Sequence, residues 1–276
     1  KYAKCRNISV DEAIERIQNG EAYVVRFKSF GNFENHIDFH DEIRGDLSLS
    51  ENDMDIVIRK SDGLPTYHFA HACDDHFMHT NYVVRGEEWL PSAPTHVQLF
   101  NALGFELPHY AHLPVIMKND NGNRRKLSKR LDPEARMTYY EEKGYPVYSV
   151  IEAIMTIANS NYEAWRESHP DAAFTEFEFS PKKMSASGAL FDLDKLDNIS
   201  KNYISKLKAT EVFDLLDNWS KEYDKDFNEL INKYKEYTIN VLNIEREQKK
   251  PRKDYASFSE IKGQVWYMYD ELYTDL

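Results

Sequence analysis

The sequence predicts an α/β fold that passes into an all-helical part. Short apolar runs such as residues 56–60 and NYVVRG (81–86) have the length and β-branched content of buried strands, and stretches of helical period separate them. After Pro133 strand signals become rare and the helical period dominates to the end. The chain's 276 residues suffice for a sizeable core, and no internal repeat or low-complexity tract points elsewhere.

Taken in order, DEAIERIQN (11–19) places Ala13, Ile14 and Ile17 on one face and stops at Gly20, which predicts a short amphipathic helix. AYVVRFKSF and the stretch through HIDFHDEIRGDLSL alternate like strands, with Gly31-Asn32 as a turn. The strand at 56–60 ends in turn residues Ser61, Asp62, Gly63 and Pro65. TYHFAHACDDHFM predicts a helix burying Phe69, Ala72, Cys73 and Phe77. NYVVRG suits a parallel sheet, Ser92–Leu103 a helix capped by Gly104, and HLPVIMK another strand. NDNGNRRKLSKRLDP is expected to be a mobile loop rich in turn formers and cations. EVFDLLDNWSKEY and FNELINKYKEYTINVLNIE predict a helix pair, which REQKKPRKD separates from FSEIKGQVWYMYDELY.

Acidic residues exceed basic ones, 47 to 35, for a net charge of −12, so a nucleic-acid partner needs local basic patches. Cys5 and Cys73 lie outside any paired spacing, which argues against a disulfide framework and a Cys-rich zinc knuckle and fits the cytoplasm. No apolar run is long enough to span a bilayer. The opening KYAKCRN reads like the middle of a longer protein.

Two stretches compete as a phosphate-handling signature. An enzyme that activates a substrate with ATP must stabilise charge growing on the α-phosphate and the departing pyrophosphate, and two ammonium groups on a mobile loop serve that purpose. KLSKR supplies Lys126, Ser128, Lys129 and Arg130. KMSAS (183–187) has Ala186 where the second lysine is needed and is a chance echo. The alternative for KLSKR is a solvated basic loop.

The run VIRKSDGLPTYHFAHACDDHFMHTNYVVRGEEWLPSAPTHVQLFNALGF, then AHLPVIM, then KLSKR, resembles the second half of the nucleotide-binding fold of bacterial glutamyl-tRNA synthetases, which are class I aminoacyl-tRNA synthetases. KYAKCRN, YVVRFK and DEIRGDLSL resemble the end of their acceptor-stem insertion. GALFDLDKL…NYI and KPRKDYASFSEIK resemble their helical stem-contact region. The resemblance implies the C-terminal half of a Rossmann-type catalytic domain at 56–135, the remnant of an α+β insertion at 1–55 and a helical stem-contact domain at 136–276.

It implies conversion of glutamate and ATP to glutamyl-adenylate, then transfer to the 3′ end of tRNA(Glu), by a cytoplasmic monomer. Magnesium accompanies ATP, and no protein-bound zinc is expected. The family's lysine loop matches Lys126–Arg130, with Lys129 nearest the phosphates. Trp89 and Leu113 fall on the ATP side, and Tyr67, His71 and Arg85 at the glutamate pocket. An arginine at the C-terminal end of a strand suits bidentate recognition of a carboxylate, whereas an ion pair with Glu87 or Glu88 would leave it no such role. Glu88 and the cluster 249–253, through Lys250, Arg252 and Lys253, fall on the tRNA side, with Arg124 and Arg125 as further candidates.

Two departures stand out. His71 occupies a position where the family commonly has Asn, and its protonation is expected to make glutamate binding pH-dependent between about pH 6 and 8. No His-Ile-Gly-His-type motif is present. The first half of the sheet and much of the insertion are therefore expected to lie outside this chain, and the chain alone is expected not to form the adenylate. Two rival readings remain. HFAHACDDHFMH, with His71, Asp74 and Asp75 at helical spacing, suits a metal-dependent phosphohydrolase. A non-catalytic tRNA-binding module is the other.

Overall fold

A computed structural model describes residues 2–273. They form two compact units, one of residues up to Pro114 together with Ser180–Ser187, the other of Val115–Phe179 with the residues from Gly188 onward.

The first unit opens with helix α1 (Val10–Gln18), whose Ser9 hydroxyl caps the Glu12 amide, and strand β1 (Val25–Phe27). β2 (His36–Asp41) and β3 (Gly45–Ser50) form a hairpin in register from His36↔Ser50 to Asp41↔Gly45. β4 (Ile56–Arg59) pairs antiparallel with β1. Then come α2 (Tyr67–Phe77), β5 (Tyr82–Gly86), a 3-10 turn over Glu87–Ser92, α3 (Ala93–Leu103) and β6 (His109–Leu113). The main sheet has the order β3-β2-β6-β5. β5 and β6 run parallel, and α3 makes the crossover between them. β6 lies between β2 and β5, so Tyr110, Ala111 and His112 are all buried.

α3 needs its start and stop residues. Ala93 and Pro94 occupy its first turn, and Gly104 ends it in the left-handed region at φ 70°. Its buried face joins Leu99 and Phe100 to Ala72 of α2, and Ala93 to Phe39 and Tyr110 of the sheet.

The second unit begins with a hairpin, β7 (Met117–Asp120) and β8 (Asn123–Lys126). Nine helices follow among the described residues: α4 (Met137–Lys143), α5 (Val147–Ala158), α6 (Tyr162–Ser168), α7 (Leu193–Lys206), α8 (Ala209–Tyr223), α9 (Lys225–Lys233), α10 (Lys235–Leu242), α11 (Phe258–Val265) and α12 (Asp270–Tyr273). Val212, Phe213, Leu216, Phe227, Ile231 and Ile261 form their main core. Arg246 ties the ends together by donating to the carbonyls of Leu242, Ile204 and Leu207 and to the Tyr255 hydroxyl.

Three expectations need correction. Pro114 lacks an amide hydrogen and ends β6, so HLPVIMK is divided between two strands. The expected mobile loop begins as the β7–β8 hairpin: Asn121 and Gly122, at φ 52° and 87°, make the turn its two-residue connection requires. On α2 only Ala72 is buried; Phe69 and Cys73 are half-buried, and Phe77, in the last turn, is 71% exposed with its ring edge-on to Phe105.

Gly104 and Gly144 both cap helices in the left-handed region, but their surroundings differ. A Cβ on Gly104 would meet nothing within 4 Å, whereas one on Gly144 would lie 2.9 Å from the Trp219 ring and the Phe258 Cβ. Gly104→Ala is expected to cost about 1 kcal/mol from the backbone alone, and Gly144→Ala about 2 kcal/mol more from overpacking. Urea unfolding of the two variants checks the order.

Candidate functional site

The C-terminal ends of parallel strands carry the polar cluster of the first unit, the position where open α/β sheets bind ligands. Arg85 stands near the end of β5 and faces His112 of β6 in register. Its Nε donates to His112 Nε2 at 3.0 Å and its Nη2 to His96 Nδ1 at 3.2 Å. The guanidinium carbon lies 4.9 Å from the centre of the Tyr110 ring. Its Nη1 is buried without a hydrogen-bond partner. The ion pair with Glu87 or Glu88 does not form: Glu87 pairs with Arg44, and Glu88 turns its carboxylate over Gly86.

Asp41, at the end of β2, anchors this arrangement. Its carboxylate accepts from the His112 amide and Nδ1, at 3.0 and 2.7 Å, and from the amides of Ile43 and Arg44. Burial pushes its pKa up, but the hydrogen bonds from His112, Arg44 and Ile43 prevail and hold it below the usual range. His96 is fully buried and is pushed down to about 2, by burial first and then by His71, Arg85, His68 and His112. Burial likewise lowers His68, His71 and His112.

Tyr67 and His71 share a face of α2, their rings parallel within 3° and 6.0 Å apart, as the four-residue spacing predicts. Trp89 packs against Tyr67 with ring centres 4.4 Å apart. His71 Nε2 lies 3.1 Å from the Tyr110 hydroxyl, and its Nδ1 2.9 Å from an Asp75 oxygen. Burial, with Arg85 and His68 behind it, lowers the His71 pKa from its ordinary value against the opposing pull of Asp75. Leu113 ends β6, and Glu88 is exposed in the turn after β5.

The lysine signature belongs to the second unit. Lys126 ends β8 and is exposed, Ser128 is half-buried, and Lys129 and Arg130 are exposed. Asp132, 2% exposed, organises this segment. It takes a bidentate pair from Arg125 at 2.6 and 2.7 Å and accepts from the Ser128 amide at 2.8 Å and from Lys118 at 3.2 Å. The Arg125 guanidinium, and after it the other hydrogen bonds and Lys118, hold the Asp132 carboxyl well below its usual range. Lys118 also pairs with Glu134, and Arg125 with Asp120. Arg125 is thereby tied to carboxylates, while Arg124 stays exposed on β8. KMSAS lies in the first unit, at the end of a 3-10 turn over Pro181–Lys183. Lys250, Arg252 and Lys253 are exposed in the second, with Arg252 paired to Asp254 and Glu245.

The sequence reading missed His68, His96, His112 and Asp41. THVQLF gave a signal: it sets His96 on one helical face with Leu99 and Phe100, and an imidazole there needs polar partners.

Residues 1–198 match the family described as tRNA synthetases class I (E and Q), catalytic domain. The chain belongs to this family. It is 53% identical to the glutamate–tRNA ligase of Clostridium beijerinckii over 99% of this chain and 49% of that protein. With the glutamate–tRNA ligase of Acetivibrio thermocellus it shares 47% identity over 99% of this chain and 50% of that protein. The chain thus spans about half the length of the curated relatives it matches. A crystal structure of a glutamate tRNA ligase from Elizabethkingia meningosepticum in complex with its amino acid superposes with a TM-score of 0.70, at 25% identity, over 94% of this chain and 52% of that one. These relatives and the family do not favour the phosphohydrolase reading. No helix among the described residues is long and apolar enough to cross a membrane.

Two outcomes are expected. First, each histidine held neutral in the fold costs stability in acid, because below about 6.5 the unfolded chain takes up a proton that the folded one refuses. Through His96 alone stability should fall by about 1 kcal/mol per pH unit below that point, and His96→Gln should flatten the slope between urea unfolding at pH 7.5 and 5.5. Second, Asp132→Asn breaks the bidentate pair with Arg125. Trypsin should then cut after Lys126, Lys129 or Arg130 several-fold faster than in the wild type.

Proposed function

We propose that this chain is part of a glutamate–tRNA ligase that activates glutamate with ATP and passes it to the 3′ end of tRNA(Glu). The observation that carries the reading is the partnerless, buried Nη1 of Arg85: a half-buried guanidinium whose Nε and Nη2 are held by neutral imidazoles, with no carboxylate of its own, is suited to a carboxylate ligand. The names of the relatives support the choice of glutamate.

In this reading Arg85 clasps a substrate carboxylate, with Tyr67 and His71 beside it. A glutamate carboxylate oxygen attacks the α-phosphorus of ATP and pyrophosphate departs. Lys126 and Lys129 stabilise the phosphate charge, Ser128 and Arg130 assist, and Trp89 and Leu113 pack on the ATP side. Magnesium arrives with the triphosphate. In the second step a terminal hydroxyl of the tRNA attacks the acyl carbon and AMP leaves. Glu88, Lys250, Arg252 and Lys253 serve the tRNA side. Residues 1–55 then end an acceptor-stem insertion, 56–135 complete the catalytic domain and 136–276 contact the stem. The two free cysteines suit a reducing cytoplasm, where the protein acts as a monomer.

The test uses a protein of the relatives' full length that contains this sequence. Lys129→Ala should lower the rate of glutamate-dependent pyrophosphate exchange by about 10²-fold or more and leave the KM for glutamate within a few-fold. Arg85→Gln should chiefly raise that KM. An unchanged exchange rate in Lys129→Ala overturns the assignment of the lysine loop.

A further inference from the structure

Five side chains form a continuous hydrogen-bonded line through the first unit, and their partners determine where each proton sits. Arg85 has donors only, so His96 Nδ1 and His112 Nε2, which face its Nη2 and Nε, are both acceptors without a proton. A neutral His112 then carries its proton on Nδ1 and donates it to Asp41 at 2.7 Å. A neutral His96 carries its proton on Nε2 and donates it to His68 Nδ1 at 2.9 Å. The two imidazoles on either side of one guanidinium therefore hold opposite tautomers. His96, His112 and Asp41 are each 0% exposed, so water does not compete for these contacts.

This geometry has a directional consequence. The commonest fork by which arginine takes a carboxylate uses either the Nε edge or the two terminal nitrogens. Here Nε is occupied by His112, one hydrogen of Nη2 is taken by His96, and Nη1 is partnerless. We infer that His96 and His112 are positioning residues that close the Nε edge of Arg85 and present Nη1 to the substrate carboxylate. The inference rests on the reading of Arg85 as the carboxylate clasp.

The groups facing the two imidazoles favour their neutral forms. His96 on α3 faces His68 and His71 of α2, Arg85 of β5 and His112 of β6. His112 faces Arg85, Arg44 and, opposing them, Asp41 of β2. A second positive charge on either ring would stand against the guanidinium and remove its acceptor. Replacing the acceptor at 96 by an apolar group frees the Nη2 hydrogen and lets the guanidinium turn. Asn at the same position sets an amide oxygen close to where Nδ1 stood.

The experiment uses the full 276-residue chain, labelled with nitrogen-15. Long-range proton–nitrogen spectra of the imidazoles read the tautomers directly, without any ligand. The expected result is a protonated Nε2 on His96 and a protonated Nδ1 on His112 at pH 8, with the His96 tautomer unchanged down to pH 5.5. Titration with L-glutamate, on a protein of the relatives' full length that contains this sequence, then compares wild type with His96→Leu, His96→Asn and His112→Gln. Loss of one hydrogen bond to a charged group corresponds to about tenfold or more in affinity. His96→Leu should show that loss, and His96→Asn and His112→Gln should bind within about threefold of wild type. A purely structural role predicts no such rescue by Asn and Gln. The same tautomer on both rings, or equal binding by wild type and His96→Leu, overturns the inference while leaving Arg85 as the clasp. Opposite tautomers in the chain, together with a full-length wild-type protein that takes up no glutamate, overturn the clasp itself, and the inference falls with it.

Discussion

The charge on Arg85 is the constraint around which the first unit is arranged. A guanidinium taken partly out of water loses hydration free energy unless its hydrogens find acceptors. The usual remedy is a carboxylate in direct contact. Here the acceptors are imidazoles, and the carboxylate stands one residue further back, at Asp41 behind His112. The hydrogen bonds hold the group in place while its positive charge stays largely uncancelled. Glu87 would be the obvious neutraliser by sequence proximity, but it is drawn away by Arg44.

The second unit uses the same chemistry to the opposite end. Asp132 meets Arg125 directly and bidentately and removes that cation from play. What it leaves is a braced hairpin base, with Lys126, Lys129 and Arg130 exposed beyond it. The seven residues from Arg125 to Leu131 thus divide into a cation that builds and cations that face solvent. Their types alone do not separate these roles; the position of a buried carboxylate does.

That division explains what was legible in the sequence. Periodicity and punctuation located α1, α2, α3 and β5, because Gly20 and Gly104 end their helices by a local backbone rule. The shared face of Tyr67 and His71 followed from helical spacing alone. The β7–β8 hairpin was concealed because its Asn-Gly signal sits inside a polar, cation-rich run that reads equally as a loop. Asp41 was illegible for a different reason. It meets His112 across 71 positions of sequence, through a parallel strand pairing that no local pattern encodes. Phe77 was misjudged because an aromatic at the end of an amphipathic helix has lost the neighbours that would cover it.

The choice of imidazole over carboxylate beside Arg85 then has a physical reason. A carboxylate at position 96 would satisfy the guanidinium and also compete with any anionic ligand for it. A charged imidazole would repel it. An amide such as Asn supplies the acceptor, but on a shorter side chain that cannot reach on to His68 as well. Only a neutral ring gives a fixed acceptor on one edge and a donor on the other, and so passes the constraint along the line from Arg85 to His68. The low pKa of His96 is therefore a requirement of the arrangement as well as a result of burial: a ring that took up a proton above neutrality could not serve as the acceptor.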